Sequence, residues 1–420
     1  LLRLDEIEGQ RGAEDTMKPL EGIRVVEVAS WMYVPAAGAV LAEWGAEVLK
    51  VEHPEGGDPQ RGLISSGLVP SGASGVNFFV EQPNHGKKSI ALDLRHPDGR
   101  AVLYKLCETA DVFLTNWLPG ARARAEVDVE HIRAVNPKIV YVRGHGQGTR
   151  GPEADRGGYD GSAYFARAGI MDALRYGDDP HGPTQPPAFG DLPGGQTLAG
   201  GVAAALLQRE RTGVAPVVDV SLLAFGMWVN SPNIVMSKLF EGQGVPKMSR
   251  DNLPNPLTNR YLTEDGRLIL LVMLQGVRFW PELITAVGRP DLATDERFTS
   301  PAALSENRTE ATRILDEVFA TRPLDEWREA LASVKGVWAP VQTGLDLYDD
   351  VQVQANGYLA DVETADGVPF ELVANPVHFD EQPPALVRAP DLGEHTDEVL
   401  RALGFDDDAI IQLKIDNAVL

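Results

Sequence analysis

Cysteine is almost missing from this chain: Cys107 is the only one in 420 residues. That excludes an intrachain disulfide framework and a cysteine-built zinc site. Cys107 lies in an amphipathic stretch, 101–109, and reads as core. The eight histidines show no metal-ligand spacing, so no metal is expected. Positive charge is short as well, with 38 Lys and Arg against 61 Asp and Glu, a net charge of −23. Such a field repels nucleic acid and anionic membranes, which are therefore not expected as partners. No apolar run is long enough to span a bilayer and no secretory signal is seen, so the expected location is cytoplasmic. No G-x-G-x-x-G follows the first β-rich run, where Trp31-Met32-Tyr33-Val34-Pro35 stands instead, and no G-x-S-x-G occurs anywhere. These absences argue against dinucleotide binding through a glycine fingerprint and against a serine-hydrolase elbow.

What is present is an alternation of short β-rich and helical runs. Residues 23–28, 47–51, 89–93, 112–115 and 139–143 read as strands. Between them, helices are expected over 36–44, opened by Pro35, and from Pro97 to about Ala110. That order implies a parallel sheet covered by helices, with ligands at the carboxyl ends of the strands. The length suits two domains. The expected fold is α/β, a large Rossmann-like parallel-sheet domain plus a smaller α+β domain. Residues 1–16 read as an N-terminal extension ahead of Met17, and 17–225 as the first part of the large domain. Residues 226–258 read as a linker and 259–360 as the small domain. Residues 361–420 read as a return linker with helices packing on the large domain.

One carboxylate stands out. Asp191 lies in Phe189-Gly190-Asp191-Leu192-Pro193-Gly194-Gly195, directly ahead of a small-residue helical stretch, 197–211. Flanking glycines leave it open to a large substrate. A helix start offers free N–H groups to negative charge formed there. Both features suit a carboxylate nucleophile; a helix-cap or turn aspartate is the alternative reading of the same residues. Positive charge gathers at Lys87, Lys88, Arg95, His96, Arg122 and Arg124, around expected strand ends. Singly these are solvated surface; together, on an acidic chain, they suggest a phosphorylated ligand. A guanidinium about 4 Å from a phosphate gains roughly 4 kcal/mol at an effective dielectric near 20.

Several ordered runs carry a family resemblance: Pro19 to Val25, Gly45 to Glu52, Asn84 to Leu94, Gly146-Gln147 with Gly151-Pro152, Gly158-Tyr159-Asp160, Gly190-Asp191 and Leu392 to Leu400. The chain resembles the class III coenzyme A transferases, the family of formyl-CoA transferase and carnitine-CoA transferase. The resemblance places the family's nucleophilic aspartate on Asp191, which would take the acyl group as a mixed anhydride and then carry CoA as an aspartyl thioester. N–H donors around Gly194 and Gly195 are the oxyanion candidates. It places CoA contacts at Met32, Tyr33, Lys88, Leu92, Arg95, Asn116, Trp117, Arg124 and Asp160. It implies no permanently bound cofactor, CoA thioesters and carboxylic acids as substrates, and an interlocked homodimer. Three departures bear on substrate. The family glutamine in the first loop aligns with Met32, a basic residue aligns with His53, and the four-glycine loop has no counterpart between 225 and 275. Trp31, Met32 and Tyr33 instead suggest a more apolar acyl group. A related reading is an α-methylacyl-CoA racemase, whose aspartate also falls on Asp191. Its histidine falls on Tyr159, and a phenol with a pKa near 10 is a poor base at neutral pH. His145 stands nearby as a relocated partner. A non-catalytic CoA-binding scaffold is the third reading.

Overall fold

Six short runs rich in valine, isoleucine and leucine make one sheet. They are β1 (Arg24–Val28), β2 (Glu47–Glu52), β3 (Lys88–Ala91), β4 (Val112–Thr115), β5 (Val140–His145) and β6 (Val217–Ser221). The structure is a computed structural model that describes residues 17–70, 72, 75–175, 180–240 and 249–420. The extension expected at 1–16 lies outside the described residues. The strand order is β3-β2-β1-β4-β5-β6 and every pair is parallel. Chain direction through the sheet reverses between β1 and β4, and the crevice beyond their carboxyl ends is where such sheets hold ligands.

Helices cover both faces, which is why β1 to β5 are mostly buried, while in the edge strand β6 only Ser221 is. In chain order they are α1 (Tyr33–Glu43), α2 (Phe78–Asn84), α3 (Pro97–Glu108), α4 (Pro119–Ala125), α5 (Val129–Val135) and α6 (Ile170–Ala173). Then come α7 (Asp191–Thr212), α8 (Leu222–Val229) and α9 (Ser231–Leu239). On one face α1 and α7 share a core with Val25, Val48 and Val142. On the other, α3 and α5 pack with Phe113 and with Leu400 and Ile410 of the C-terminal helices. Cys107 is buried there, and burial pushes its thiol up to about 12. Pro35 does not open α1, as its position suggested. It is the third residue of the first turn, where a backbone N–H has no helical partner to lose.

The chain divides into two units. Described residues of Leu1–Ala173, Thr184–Ile234 and Gln354–Leu420 form the first; those of Leu174–Pro183 and Val235–Val353 form the second. The segment read as a linker at 226–258 is thus divided at Ile234, inside α9. In the second unit Arg260–Leu262 pairs antiparallel with Leu268–Leu271, which pairs with Trp338–Pro340. Four helices between residues 276 and 331 close a core of Tyr261, Ile269, Trp280, Phe319 and Trp327. Among the described residues no helix is long and apolar enough to cross a membrane.

Candidate active site

The turn after β1 is held open by a buried polar network. Trp31 has φ 67°, a left-handed conformation that costs a bulky residue on the order of 1–3 kcal/mol. It is fixed from two sides. Its N–H donates to Asp58 Oδ1 at 3.1 Å. The neighbouring Ser30 N–H donates to Asn116 Oδ1 at 3.1 Å, and Asn116 Nδ2 donates back to Ser30 O at 2.6 Å. Asn116 follows β4, so this clamp spans the point where the sheet reverses. Asp58 in turn accepts from Lys50 Nζ at 3.0 Å, and Lys50 also meets Glu27 at 3.2 Å. Lys87 donates to both Glu27 oxygens at 3.0 and 2.8 Å. Lys87 is therefore no phosphate ligand; it is buried, and burial first of all lowers its ammonium to about 8.

Asp191 is the first residue of α7 and is half-buried. Below it, Gly190 N–H donates to Asp160 Oδ2 at 3.1 Å. Burial first, and the negative charge of Asp160 second, push the Asp191 carboxyl from 3.8 up to about 7. Asp160 opens a short π-helix, Asp160–Arg167, and is buried beneath the turn. Tyr33 packs between the end of β5 and the first turn of α7. A Cβ on Gly144 would fall 2.9 Å from Tyr33 Cε1, and one on Gly194 2.9 Å from Cε2. The Tyr33 hydroxyl donates to Val220 O at 3.2 Å. Burial, then the Asp191 charge, holds that phenol far above its ordinary value.

The two glycines expected to supply oxyanion donors have another task. Gly194 N–H donates to Gly190 O at 3.0 Å, inside the helix. A Cβ on Gly195 would lie 2.8 Å from Tyr33 O and 2.9 Å from Ala37 N, so this glycine lets α7 seat against α1. Leu192 N–H is tied to Ala188 O at 3.2 Å. Among the described residues the Asp191 N–H has no hydrogen-bond partner, which leaves it as the donor at this helix start.

A cavity of about 320 Å³ opens on Asp191, walled by Trp31, Tyr33, Trp117, Leu118 and Tyr159 and bordered by Asn116 and His145. Trp31 and Tyr159 meet edge to face with ring centroids 5.6 Å apart. A second cavity, about 380 Å³, lies at the carboxyl ends of β2 and β3 among His53, Leu92, Arg95 and Arg124. Trp117 borders both cavities.

Most of the expected site residues converge here, and some do not. Leu92, Arg95, Trp117 and Arg124 meet at the second cavity; Tyr33, Asn116 and Trp117 meet Asp191 at the first. Arg124 is exposed and has no ion pair among the described residues. Arg95 pairs with Asp93 at 2.8 Å and holds that carboxyl at about 2. Lys88 stands at the opposite, amino end of β3, 2.8 Å from Glu398 and 3.5 Å from Glu47. A four-residue strand is long enough to carry it away from the crevice. Arg122 turns inward to Asp128 at 2.7 Å. Met32 is buried core, and Trp31 takes its place on the cavity wall.

Sequence reasoning did not foresee the environment of His145. Its Nε2 meets Asp219 Oδ1 at 2.9 Å. The same Asp219 accepts from Arg143 Nε at 2.7 Å and Nη2 at 3.0 Å. Burial acts to raise the Asp219 carboxyl, but His145 and Arg143 together hold it down at about 2. Alternate residues of β5 share a face, which hints at a common partner, but the partner lies on β6, 74 residues from His145. Among the described residues no group of three His, Cys, Asp or Glu could hold a metal ion.

A parallel sheet of this order, with a half-buried carboxylate at a helix start beside its crevice, defines the α/β class of this protein. The model of CoA-transferase family III matches residues 20–396, and the chain belongs to that family. It is 32% identical over 410 residues to the cinnamoyl-CoA:phenyllactate CoA-transferase of Clostridium sporogenes, covering 97% of this chain and 98% of that protein. It is 32% identical over 398 residues to the (R)-2-hydroxy-4-methylpentanoate CoA-transferase of Clostridioides difficile, covering 94% and 98%. Among solved structures, a CAIB/BAIF family protein from Brucella suis superposes with a TM-score of 0.79 at 30% identity, over 92% of this chain and 99% of that one.

Proposed function

We propose that this chain moves coenzyme A from an acyl-CoA thioester to a carboxylic acid, with Asp191 as the covalent carrier. The observation that carries this reading is the position of Asp191, an aromatic-walled carboxylate at a helix start, pushed up to about 7. A carboxylate that water and neighbours stabilise poorly gains by sharing its charge with a carbonyl carbon. An Asp191 oxygen attacks the thioester carbonyl, the C–S bond breaks, and CoA leaves as thiolate. The thiolate attacks the aspartyl carbonyl of the mixed anhydride, which releases the donor acid and leaves CoA on Asp191. The acceptor carboxylate then attacks that thioester and expels the thiolate. Attack of the thiolate on the new acyl carbonyl completes the product and restores Asp191. Protons balance at every step, so no metal or redox group is required.

Support for the placement of CoA comes from charge and shape. Arg95 and Arg124 at the second cavity suit the phosphates, and Trp117 borders the path from there to Asp191. The walls of the first cavity favour an apolar or aromatic acyl chain, and relatives named for phenyllactate and a methylpentanoate act on such chains. A homodimer, interlocked as the family resemblance implies, is part of the same reading. The test is intact-mass measurement after mixing with an acyl-CoA, followed by hydroxylamine trapping. The expected result is a hydroxamate on Asp191 and none in Asp191→Ala. A wild type with neither adduct nor CoA exchange overturns the proposal, and α-proton exchange without an adduct assigns racemase chemistry instead.

A further inference from the structure

We infer that His145 is a specificity-determining residue whose Nδ1 accepts a hydrogen bond from a hydroxyl group carried close to the carboxyl of the acid being activated. This rests on the transferase reading of Asp191. The polar groups around the first cavity are mostly committed to the protein itself. The Asn116 amide is bound to Ser30, and the Tyr33 hydroxyl donates to Val220 O. Ser162 Oγ donates to Tyr159 O at 3.0 Å and accepts from Tyr159 N–H at 3.1 Å. Arg156 pairs with Glu153 at 2.9 Å. His145 is different. Asp219, itself paired with Arg143, lies against Nε2, and in the neutral ring this directs the proton to Nε2 and the lone pair to Nδ1. Among the described residues nothing donates to that nitrogen.

An acceptor with a free lone pair at the border of the cavity selects a ligand with a donor. On a carboxylic acid whose carboxyl is ionised for reaction, a hydroxyl is such a donor. The site also limits where that hydroxyl can sit. His145 and Asp191 border the same cavity of about 320 Å³. An acid whose carboxyl meets Asp191 there carries its α- and β-carbons nearest that carboxyl, and a hydroxyl on one of them is the donor proposed for His145. A deoxy analogue would leave Nδ1 without a partner in a partly desolvated site and be disfavoured.

The experiment measures CoA transfer to pairs of branched or aryl acids that differ only in an α- or β-hydroxyl. Wild type should prefer the hydroxy acid by about tenfold or more in kcat/KM. His145→Phe keeps a flat ring without an acceptor. It should bring the two acids within about threefold of each other in kcat/KM. A preference unchanged in His145→Phe overturns the assignment. If His145→Phe loses both substrates equally, His145→Asn, which keeps an acceptor near the Nδ1 position, decides. Preference retained there supports the assignment and preference lost there overturns it. A wild type that forms no Asp191 adduct with any acyl-CoA fails the transferase reading instead. One that forms the adduct yet ignores the hydroxyl fails this inference alone.

Discussion

Asp191 must be ionised to attack a carbonyl, yet its surroundings oppose ionisation and hold it at about 7. Below that pH, kcat/KM should fall about tenfold per unit as the carboxylate takes up its proton. Asp160→Asn removes the nearer negative charge and should move this acid limb to lower pH; a limb that stays in place would assign it to another group. The same property has a sign for stability. Folded Asp191 keeps its proton up to about 7 and an unfolded aspartate only to 3.8, so its contribution is present at acid pH and lost as pH rises through 7. Beyond that point the ionised carboxylate opposes folding by on the order of 2–4 kcal/mol. Asp191→Asn, inactive, should therefore melt above wild type at about pH 8, with the gap closing toward about pH 4. Calorimetry at both values checks this, and a lower Tm at the higher pH contradicts it. The setting of Asp191 at a helix start was legible in the sequence, because its glycines and helix are its immediate neighbours. Asp160, 30 residues away from the glycine it holds, and Asp219, 74 from His145, were not. Local pattern carries no information about which distant side chain will stand opposite.

At the scale of the element, the seating of α7 on α1 sets where Asp191 points. Gly195→Ala would drive a Cβ against the Tyr33 carbonyl and the Ala37 nitrogen, backbone atoms that cannot rotate aside. It should cost about 1–3 kcal/mol and slow transfer by displacing the first turn. Gly200, on the exposed side of the same helix, has open space around it. Gly200→Ala should stabilise by about 0.5–1 kcal/mol by restricting the unfolded chain and aiding the helix. Urea denaturation of the two variants separates these roles, and the reverse order would contradict the packing described. In the sequence Gly195 reads as a turn glycine and oxyanion candidate and Gly200 as a small helical residue; only the approach of α1 shows that Gly195 has to be small. Five of the six strands were legible from their β-branched runs, but β6 was not read as a strand, nor was the end of β3 at which a lysine or arginine emerges. Lys88 and Arg95 are seven residues apart and face opposite ends of the sheet. Trp31 was legible as apolar lining, not as a left-handed residue, because its conformation is imposed by Asp58 and Asn116 from outside the turn.

At the scale of the whole molecule, α9 has no buried residue although it carries Ile234, Val235, Met236 and Leu239. The preceding α8 leaves Met227 and Val229 exposed and Trp228 77% exposed. Exposed apolar faces of this kind fit an association surface. A second copy covering this one is the dimer expected from the family resemblance. Light scattering should give the mass of two chains, and Trp228→Glu should shift the equilibrium toward one chain and lower Tm. A monomeric wild type would contradict it. The claim on which everything else depends is that Asp191 exchanges a carboxylate oxygen with its substrates at each turnover. The direct measurement uses an acceptor acid whose carboxylate carries a heavy oxygen isotope, with an acyl-CoA donor, followed by mass analysis of the peptide containing Asp191. The account predicts that this peptide gains heavy oxygen as CoA transfer proceeds. Sustained transfer with an Asp191 peptide of unchanged isotopic mass would contradict it.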